Sequence, residues 1–439
     1  MSSGADQSFG VNRRRLLIGL GGTTLGSLAA LKTVRAEASS PPPQVSDAPK
    51  VESDQHAAIP FHGVHQAGVT TPRPAAGLVA SFATVLSSPK DFETMLRRLT
   101  ERARFLTQGG AVPERDPLMP PSDSGLLGPV IEPDGLTITV ALGDALFRKY
   151  AWLSDHYPPG LERMTQFPND ALDAKRCHGD LSIQFSANLH DTNLHALRDV
   201  LKSLSEFLVL RWMQEGSVPP SAPDADGNTP SARNFLGFRD GSANPDSNNE
   251  AEMDRLVWVD GHQTPEWMRG GTFQVVRLIR NFVERWDRAP LIEQEKFIGR
   301  RKISGAPLDR PDVANERDVP DFVADPDGAR TPLNAHIRLA NSRTQSSRSN
   351  LILRRPFNYS NGVTSSGQLD QGLLFICYQA DLRKGFIAVQ ERLNGEPLEE
   401  YIKPVGGGYF FVLPGVRDAQ DYLGSALVRA VQHDCELQN

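Results

Sequence analysis

The sequence predicts an α+β fold built from two ferredoxin-like β-α-β-β-α-β units with antiparallel sheets. The order strand, helix, strand, strand, helix, strand can be traced twice along the 439 residues. A segment at 216–234, rich in Pro, Gly, Asp and Ser, separates the two occurrences. A doubly wound parallel sheet fits less well, because no helical pattern lies between every pair of strands.

The composition argues against several classes of protein. The 47 basic and 53 acidic residues give a net charge of -6, whereas nucleic-acid-binding domains are usually basic. The three cysteines form no Cys-x-x-Cys pair, so neither a structural zinc site nor a disulfide framework is indicated. No apolar run of about 18 residues follows the N-terminal region, which argues against a polytopic membrane protein.

The N-terminus has the pattern of an export signal. Adjacent arginines precede an uncharged, weakly apolar stretch from Leu16 to Leu31, and this order resembles a twin-arginine (Tat) signal. Small residues allow cleavage after Ala36 or Ala38. We therefore predict a signal peptide at 1–38, a Pro/Ser-rich tether at 39–58 and a periplasmic location. An uncleaved anchor or a chance basic cluster is the alternative.

The first unit, 59–230, contains a helix with a complete start signal. Ser88 can cap it, a proline follows at its first position, and Asp91 is an early acid. Apolar residues then recur at helical spacing until a glycine pair ends the run. The predicted elements are strand Leu78–Val85, helix 88–108, strands Leu136–Leu142 and Leu181–Ala187, a helix capped by Asp191 or Thr192 and reaching Leu204 and Leu208, and strand Val209–Trp212.

The second unit, 231–439, repeats this order with one long insertion. Its predicted elements are strand Thr272–Arg280, a broken helix Phe282–Ile298, strands Leu351–Tyr359 and Leu373–Tyr378, helix Phe386–Leu393 and strand Tyr409–Leu413. The insertion at 299–350 is polar and at first Pro-rich. A loop of this length within a compact domain is usually functional or disordered.

Three short segments of the second unit carry residues capable of chemistry. Two glycines bracket Arg239 and Asp240, although the spacing alone favours a turn with a solvated aspartate. His336 lies in the insertion, and a lone histidine is more often structural than a metal ligand. Arg354 and Arg355 end an apolar strand, so alternation turns one of them the way a core residue points. A guanidinium in that position needs an anionic or electron-rich partner.

Taken together, these segments resemble the dye-decolourising (DyP-type) haem peroxidase family. The family motif Gly-x-x-Asp-Gly is matched by Gly237, Asp240 and Gly241, its proximal histidine by His336, and its distal arginine, eighteen residues later, by Arg354. The resemblance spans about residues 58–430 and is strongest to one exported subgroup. The segments that carry it are FLTQGG (Phe105–Gly110), FPND (Phe167–Asp170), GFRDGSANPDS (Gly237–Ser247), HIRLAN (His336–Asn341), SGQLDQGLLF (Ser366–Phe375), RLNGEPLEEY (Arg392–Tyr401) and GGGYFFVLPGV (Gly406–Val416).

The resemblance implies one haem b per chain, bound in the C-terminal unit with His336 as the axial ligand to iron. Asp240 would be the proton shuttle in peroxide cleavage, and Arg354 would stabilise the separating charge. A register slip would put Arg355 in place of Arg354. An aspartate beside a cation is expected to stay ionised at low pH, which would favour activity in acid. The residues implied to contact haem are Asp240, Gly241, Ser242, His336, Asn341, Ser342, Arg343 and Arg354, with Arg343 suited to a propionate.

The same resemblance implies a peroxidase that uses hydrogen peroxide, with haem or an aromatic reductant as the other substrate. In the exported subgroup it also implies iron release from haem with the tetrapyrrole left intact, components of a ferrous-iron uptake system as partners, and a homodimer. The alternatives are a peroxidase that acts only on phenols or dyes, and a non-catalytic haem-binding component of an iron importer. Two positions depart from the family pattern: Ser342 replaces a proline, and Pro356 follows the arginine pair, where it fixes φ and removes a backbone donor.

Overall fold

The computed structural model describes residues 57–219, 229–262, 264–311 and 314–437. The predicted signal peptide and nearly all of the tether lie outside these residues. Within the described ranges, no helix combines the length and the apolar character needed to span a bilayer.

The strands are β1 (Ala76–Thr84), β2 (Gly110–Ala111), β3 (Val130–Ile131), β4 (Thr137–Gly143), β5 (Leu181–Ala187), β6 (Leu208–Ser217), β7 (Thr272–Asn281), β8 (Leu353–Arg354), β9 (Phe357–Val363), β10 (Leu369–Gln379) and β11 (Ile402–Val412). The helices are α1 (Pro89–Gln108), α2 (Asp144–Lys149), α3 (His190–Ser203), α4 (Glu250–Leu256), α5 (Val283–Trp286), α6 (Leu291–Ile298), α7 (His336–Ala340), α8 (Ala388–Leu393) and α9 (Ser425–Leu437).

The main strands form one antiparallel sheet that closes into a barrel. Their order is β7-β11-β4-β5-β1-β6-β9-β10-β8, and β7 also pairs with β10. Each half of the chain keeps the ferredoxin-like strand order, β6-β1-β5-β4 in the first and β11-β7-β10-β9 in the second. The predicted fold class is confirmed. Its closure into one barrel, which removes the exposed sheet edges, was not predicted.

A polar cluster inside the barrel joins the two halves. Gln184 of the first half accepts hydrogen bonds from the Gln274 amide (3.1 Å) and the Tyr378 hydroxyl (2.7 Å) of the second. None of the three side chains is more than 1 % exposed. A buried polar group that loses its partner costs about 1–3 kcal/mol, so this cluster favours one register between the halves.

The start of α1 follows its predicted signal. The Ser88 side chain accepts a hydrogen bond from the Asp91 N–H at 3.2 Å, and the helix ends before Gly109, whose φ is 71°. The last helix, α9, was not predicted. It packs on α1 and buries Leu427 and Val431.

The predicted cap of the second helix is wrong. The N-terminus of α3 is held by Asp134, whose carboxylate accepts from the Leu189 N–H (2.9 Å) and the Thr192 hydroxyl (2.7 Å). Asp134 lies in the loop before β4, so its proximity to α3 arises only in the folded chain. The helix is also shorter than predicted: Leu204 follows its end, and Leu208 begins β6.

The strand predicted at 351–359 is interrupted. β8 ends at Arg354 and β9 begins at Phe357, with Pro356 in the break because proline has no N–H for a strand ladder. The broken helix predicted before the insertion is confirmed as α5 and α6. The helix predicted from Phe386 starts as a π-helical turn and becomes α8.

The outer faces of the two half-sheets are covered differently. On the first half, α1, α3 and α9 pack on apolar strand residues such as Leu78 and Phe82. On the second half, Ile279 of β7 and Phe375 of β10 face a cavity whose other walls include α7 and α8. The cavity thus occupies the place that packed helices fill on the first half.

Candidate functional site

The cavity is mostly apolar. Its volume is about 260 Å³, and it is partly open to solvent. Apolar wall residues come from β7, β10, the segment before β8 and the helices facing them, and include Ile279, Ile337, Ile352, Phe375 and Phe386. A space of this kind suits a large, flat, largely apolar group.

His336 begins α7 and lines the cavity, and its side chain is 34 % exposed. Its Nδ1 lies 2.8 Å from Oε2 of Glu396, a side chain only 4 % exposed. With Nδ1 as the donor in this bond, Nε2 carries the lone pair that binds a metal. Burial is the largest single influence and opposes a proton on the ring. The charge and hydrogen bond of Glu396 outweigh it, so the pKa of His336 is raised.

Asp240 and Arg354 lie together on the cavity wall. Nη1 of Arg354 is 3.6 Å from Oδ1 of Asp240, and the guanidinium also donates to the backbone carbonyls of Asp240 (3.3 Å) and Ser242 (2.9 Å). Asn244 holds the backbone of Arg354, accepting its N–H at 2.9 Å and donating to its carbonyl at 3.1 Å. The side chains of Arg354 and Asn244 therefore connect β8 to the loop that carries Asp240.

The neighbouring arginine points elsewhere. Arg355 is 6 % exposed and donates to the carbonyls of Thr71 and Pro72 in the first half. Because side chains alternate along a strand, the sequence alone allowed either arginine at the site. The pairing of β8 with β10 places Arg354 on the cavity wall.

The protonation of Asp240 differs from the expectation that a neighbouring cation keeps it ionised in acid. Burial is the largest influence and raises the pKa of Asp240, while Arg354, Arg73 and His336 lower it by less. The expectation is wrong in sign, because the carboxylate loses more by leaving water than these neighbours return. A raised pKa brings the carboxyl group closer to the working range of a proton shuttle.

A second part of the wall is cationic, since Arg239, Arg300 and Arg343 line it together. Burial, followed by the charge of Arg343, lowers the pKa of Arg300 to about 10. The Nε of Arg343 is buried and has no hydrogen-bond partner among the described atoms. The backbone of Arg343 has a φ of 61°, in the left-handed region, and its N–H donates to the side chain of Asn341 at 3.1 Å.

These features fit the haem that the resemblance implies. The imidazole of His336 offers one nitrogen for iron, and Glu396 occupies the other. The unpaired buried donor of Arg343 and its cationic neighbours suit propionate carboxylates. The apolar wall suits the tetrapyrrole.

Most of the predicted haem-contacting residues line this cavity, namely Asp240, Ser242, His336, Asn341, Arg343 and Arg354. Gly241 and Ser342 are not among its lining residues. A Cβ at Gly241 would lie 2.4 Å from that of Ser231, so this glycine is pressed against a neighbouring segment. Ser342 is exposed to solvent and its hydroxyl lies 3.2 Å from that of Thr344.

Sequence reasoning assigned no role to Glu396, Arg239 or Arg300. Glu396 lies 60 positions from His336, so no local spacing connects them. It does lie within the segment RLNGEPLEEY, which carries part of the family resemblance. The usable signal was chemical, because a metal-binding histidine almost always needs an acceptor for its other ring N–H.

The long insertion packs against the site. Its residue Glu316 accepts hydrogen bonds from the backbone N–H of Ser231 (2.8 Å) and the hydroxyl of Ser242 (3.3 Å). Arg300 donates to the carbonyl of Glu316 at 3.1 Å. The insertion thus supports the loop that carries Asp240, and it also contributes His336.

Two family models match the chain. The model described as Dyp-type peroxidase, N-terminal, matches residues 66–217, and the model described as Dyp-type peroxidase, C-terminal, matches residues 231–417. Asp240, His336, Arg354 and Glu396 all lie inside the second match.

Individual proteins and structures are similar over most of the chain. The chain is 51 % identical to proteins named Deferrochelatase from Escherichia coli O157:H7 and Shigella sonnei, and 50 % identical to that of Escherichia coli K12. Each of these alignments covers 96 % of this chain and 98 % of the relative. Ferric DtpA from Streptomyces lividans has a TM-score of 0.77 at 33 % identity, covering 87 % of this chain and 100 % of its own. A DyP-type peroxidase from Cellulomonas bogoriensis has a TM-score of 0.75 at 32 % identity, covering 85 % and 99 %.

Proposed function

Since the chain belongs to the Dyp-type peroxidase family, we propose that its cavity is the haem site of a peroxidase in which Asp240, His336 and Arg354 act. One observation carries this assignment of residues. A histidine paired with a buried carboxylate and an arginine–aspartate pair line the same cavity. The family resemblance and the haem cofactor predicted from the sequence are confirmed by the family matches and the solved relatives.

When bound in this cavity, haem b would supply redox-active iron for the reduction of hydrogen peroxide. His336 provides Nε2 as the ligand for that iron. Glu396 accepts the Nδ1 proton, which fixes the tautomer and the orientation of the ring and increases the basicity of the ligand. Arg343 and Arg300 provide guanidinium groups for the propionates.

Asp240 and Arg354 act on the peroxide. The Asp240 carboxylate accepts the proton of one peroxide oxygen and returns it to the other, which leaves as water. The Arg354 guanidinium stabilises the negative charge that develops as the O–O bond breaks. Its hydrogen bonds to the carbonyls of Asp240 and Ser242 hold it in place before peroxide arrives.

We further propose that the protein removes iron from haem and leaves the tetrapyrrole intact. The support is 50–51 % identity, over 96 % of the chain, to proteins named Deferrochelatase. Ferrous haem is the substrate of this reaction: its iron leaves as Fe²⁺, and two protons take its place on the pyrrole nitrogens. Asp240 can carry a proton at a higher pH than an ordinary aspartate, because burial raises its pKa.

The cellular context is also a proposal. We propose export by the Tat pathway with removal of residues 1–38, a tether at 39–58 and folded halves at 59–230 and 231–439. The periplasmic protein would act as a homodimer with components of a ferrous-iron uptake system. Support comes from the arginine pattern of the N-terminus and from the similarity to the deferrochelatases. Cell fractionation of the wild type and of a variant with Arg13 and Arg14 changed to lysine tests the export step.

Absorption spectra of the haem-loaded protein test the assignment of site residues. The wild type should show a Soret band that shifts when peroxide is added, and His336→Ala should lose the histidine-ligated spectrum. Asp240→Asn should keep haem but react with peroxide about 10²–10⁴-fold more slowly, and Arg354→Gln about 10²–10³-fold more slowly. Equal haem binding without His336 would overturn the ligand assignment.

The alternatives separate in the same preparation. A non-catalytic haem carrier would show no dependence of its spectrum in peroxide on Asp240 or Arg354. A peroxidase without iron release would turn over peroxide but never produce the fluorescence of iron-free porphyrin under reducing conditions with an iron chelator present.

A further inference from the structure

The two halves of the chain hold each other beside the cavity through two arginines. Arg355 of the second half donates to the carbonyls of Thr71 and, at 3.4 Å, Pro72. Arg73 donates in the reverse direction, from Nη1 to the carbonyl of Pro356 at 2.6 Å. The reciprocal bonds connect the approach to β1 with the break between β8 and β9.

We propose that Arg73 is a positioning residue for the peroxide chemistry: it fixes the strand break that carries Arg354. This inference rests on the proposed function, because Arg73 would act through Arg354 and Asp240. It gives the first half of the chain, which contributes neither the axial ligand nor the distal pair, a role in the reaction.

The geometry of the break between β8 and β9 explains why contacts from other parts of the chain are needed to hold it in place. β8 has two residues, and Pro356 cannot donate to the ladder of the next strand. Asn244 and the pairing of Arg354 with Cys377 hold the near side of the break. Arg73 holds the far side, because it binds the Pro356 carbonyl and its guanidinium carbon lies 5.8 Å from the centre of the Phe357 ring.

The charge of Arg73 gives a second reason to assign it a role in the peroxide chemistry. The charged or titratable groups that act on Asp240 are Arg354 from β8, 3.6 Å away, Arg73 from the first half and His336 from α7. Each lowers the pKa of Asp240 against the larger effect of burial, and Arg73 ranks second among them. Removal of the Arg73 charge should therefore shift the ionisation of Asp240 to higher pH.

The test compares Arg73→Gln and Arg73→Lys with a matched control, Arg104→Gln, in the haem-loaded protein. Arg104 is also half-buried over an aromatic ring (Phe61, 5.7 Å) and also donates to a backbone carbonyl (Asp421, 3.4 Å). It lies on α1, however, and these partners are not part of the strand break. The readouts are the second-order rate constant with hydrogen peroxide against pH, the dissociation constant of fluoride from its absorption spectrum, and the thermal unfolding midpoint.

Arg73→Gln should lower the peroxide rate constant about tenfold, the effect of one charge-assisted hydrogen bond. It should also move the acid limb of the pH profile to higher pH and weaken fluoride binding several-fold. Arg73→Lys keeps the charge but not the planar donor pair, so its acid limb should stay in place while the rate falls in part. Arg104→Gln should leave rate, pH profile and fluoride binding unchanged.

The results distinguish failure of the inference from failure of the proposed function. If the wild type reacts with peroxide and Arg73→Gln matches it in rate, pH profile and fluoride affinity, Arg73 has no positioning role. If Arg73→Gln fails to fold, an Arg73→Lys rate constant equal to that of the wild type overturns the positional argument. A wild type that shows no reaction with peroxide contradicts the proposed function itself.

Discussion

Replacement of Glu396 measures how much haem retention depends on the carboxylate behind His336. Glu396→Ala leaves the Nδ1–H of the imidazole facing the space of a side chain that is only 4 % exposed, so water replaces the lost acceptor poorly. An unmade buried hydrogen bond costs about 1–3 kcal/mol, and each 1.4 kcal/mol is about tenfold in affinity. Haem should therefore dissociate about 5- to 150-fold more readily.

Glu396→Gln keeps an acceptor for Nδ1–H and removes the charge, so it should retain haem better than Glu396→Ala. It should also raise the reduction potential of the bound haem, because a less basic imidazole stabilises ferric iron less. The assay is transfer of haem to a scavenger protein in excess, followed by the Soret band.

The matched control is Glu399→Gln. Glu399 also lines the cavity, but its carboxylate accepts from the backbone N–H of Gly395 at 3.0 Å, whereas Nδ1 of the imidazole pairs with Glu396. If Glu396→Ala and Glu399→Gln retain haem equally well, the pairing of Glu396 with His336 does not support haem binding, and the reasoning is refuted.

Three further predictions concern pH and stability. The peroxide rate constant should fall as the pH decreases through the raised pKa of Asp240, because protonation removes the acceptor for the peroxide proton; a stopped-flow profile that stays flat down to the ordinary aspartate pKa of about 3.9 contradicts this. Asp170→Asn should lower the free energy of unfolding by about 3–5 kcal/mol, because Arg277, 1 % exposed, loses its buried counter-charge. Urea unfolding checks this against Glu206→Gln, which breaks an exposed ion pair and should cost no more than about 1 kcal/mol. Tyr378→Phe should cost about 1–3 kcal/mol in the same measurement, since it removes a hydroxyl shared by two buried glutamines; an unchanged unfolding midpoint would show that the polar cluster in the barrel adds no stability.

The candidate site residues that the sequence suggested lie in contiguous motifs. Gly237, Asp240 and Gly241 share one short segment, and His336 and Arg354 stand at the separation typical of the family. The start of α1 could also be predicted, because the Ser88 cap accepts a hydrogen bond from a residue within one turn of it. In each case the physical cause acts over a few residues of chain, or the family motif supplies the spacing.

The remaining site residues depend on contacts that span the chain. Glu396 meets His336 across 60 positions, and Arg73 meets Pro356 across 283. The predicted cap of α3 was wrong for the same reason, since Asp134 contacts Leu189 across 55 positions. Local spacing carries no signal for such pairs.

The pKa of Asp240 likewise has one influence that the sequence suggested and another that depends on the fold. The sequence placed the Asp240 carboxylate beside the cation of Arg354, and Coulomb attraction alone lowers the pKa of such a carboxylate. The fold adds burial, which outweighs Arg354, Arg73 and His336 and reverses the direction. Local patterns thus specified the strands, the two ferredoxin-like units and the motif residues. Closure of the barrel, the partners of those residues and the cost of removing them from water arose from long-range packing, because solvent exclusion is a property of the folded whole.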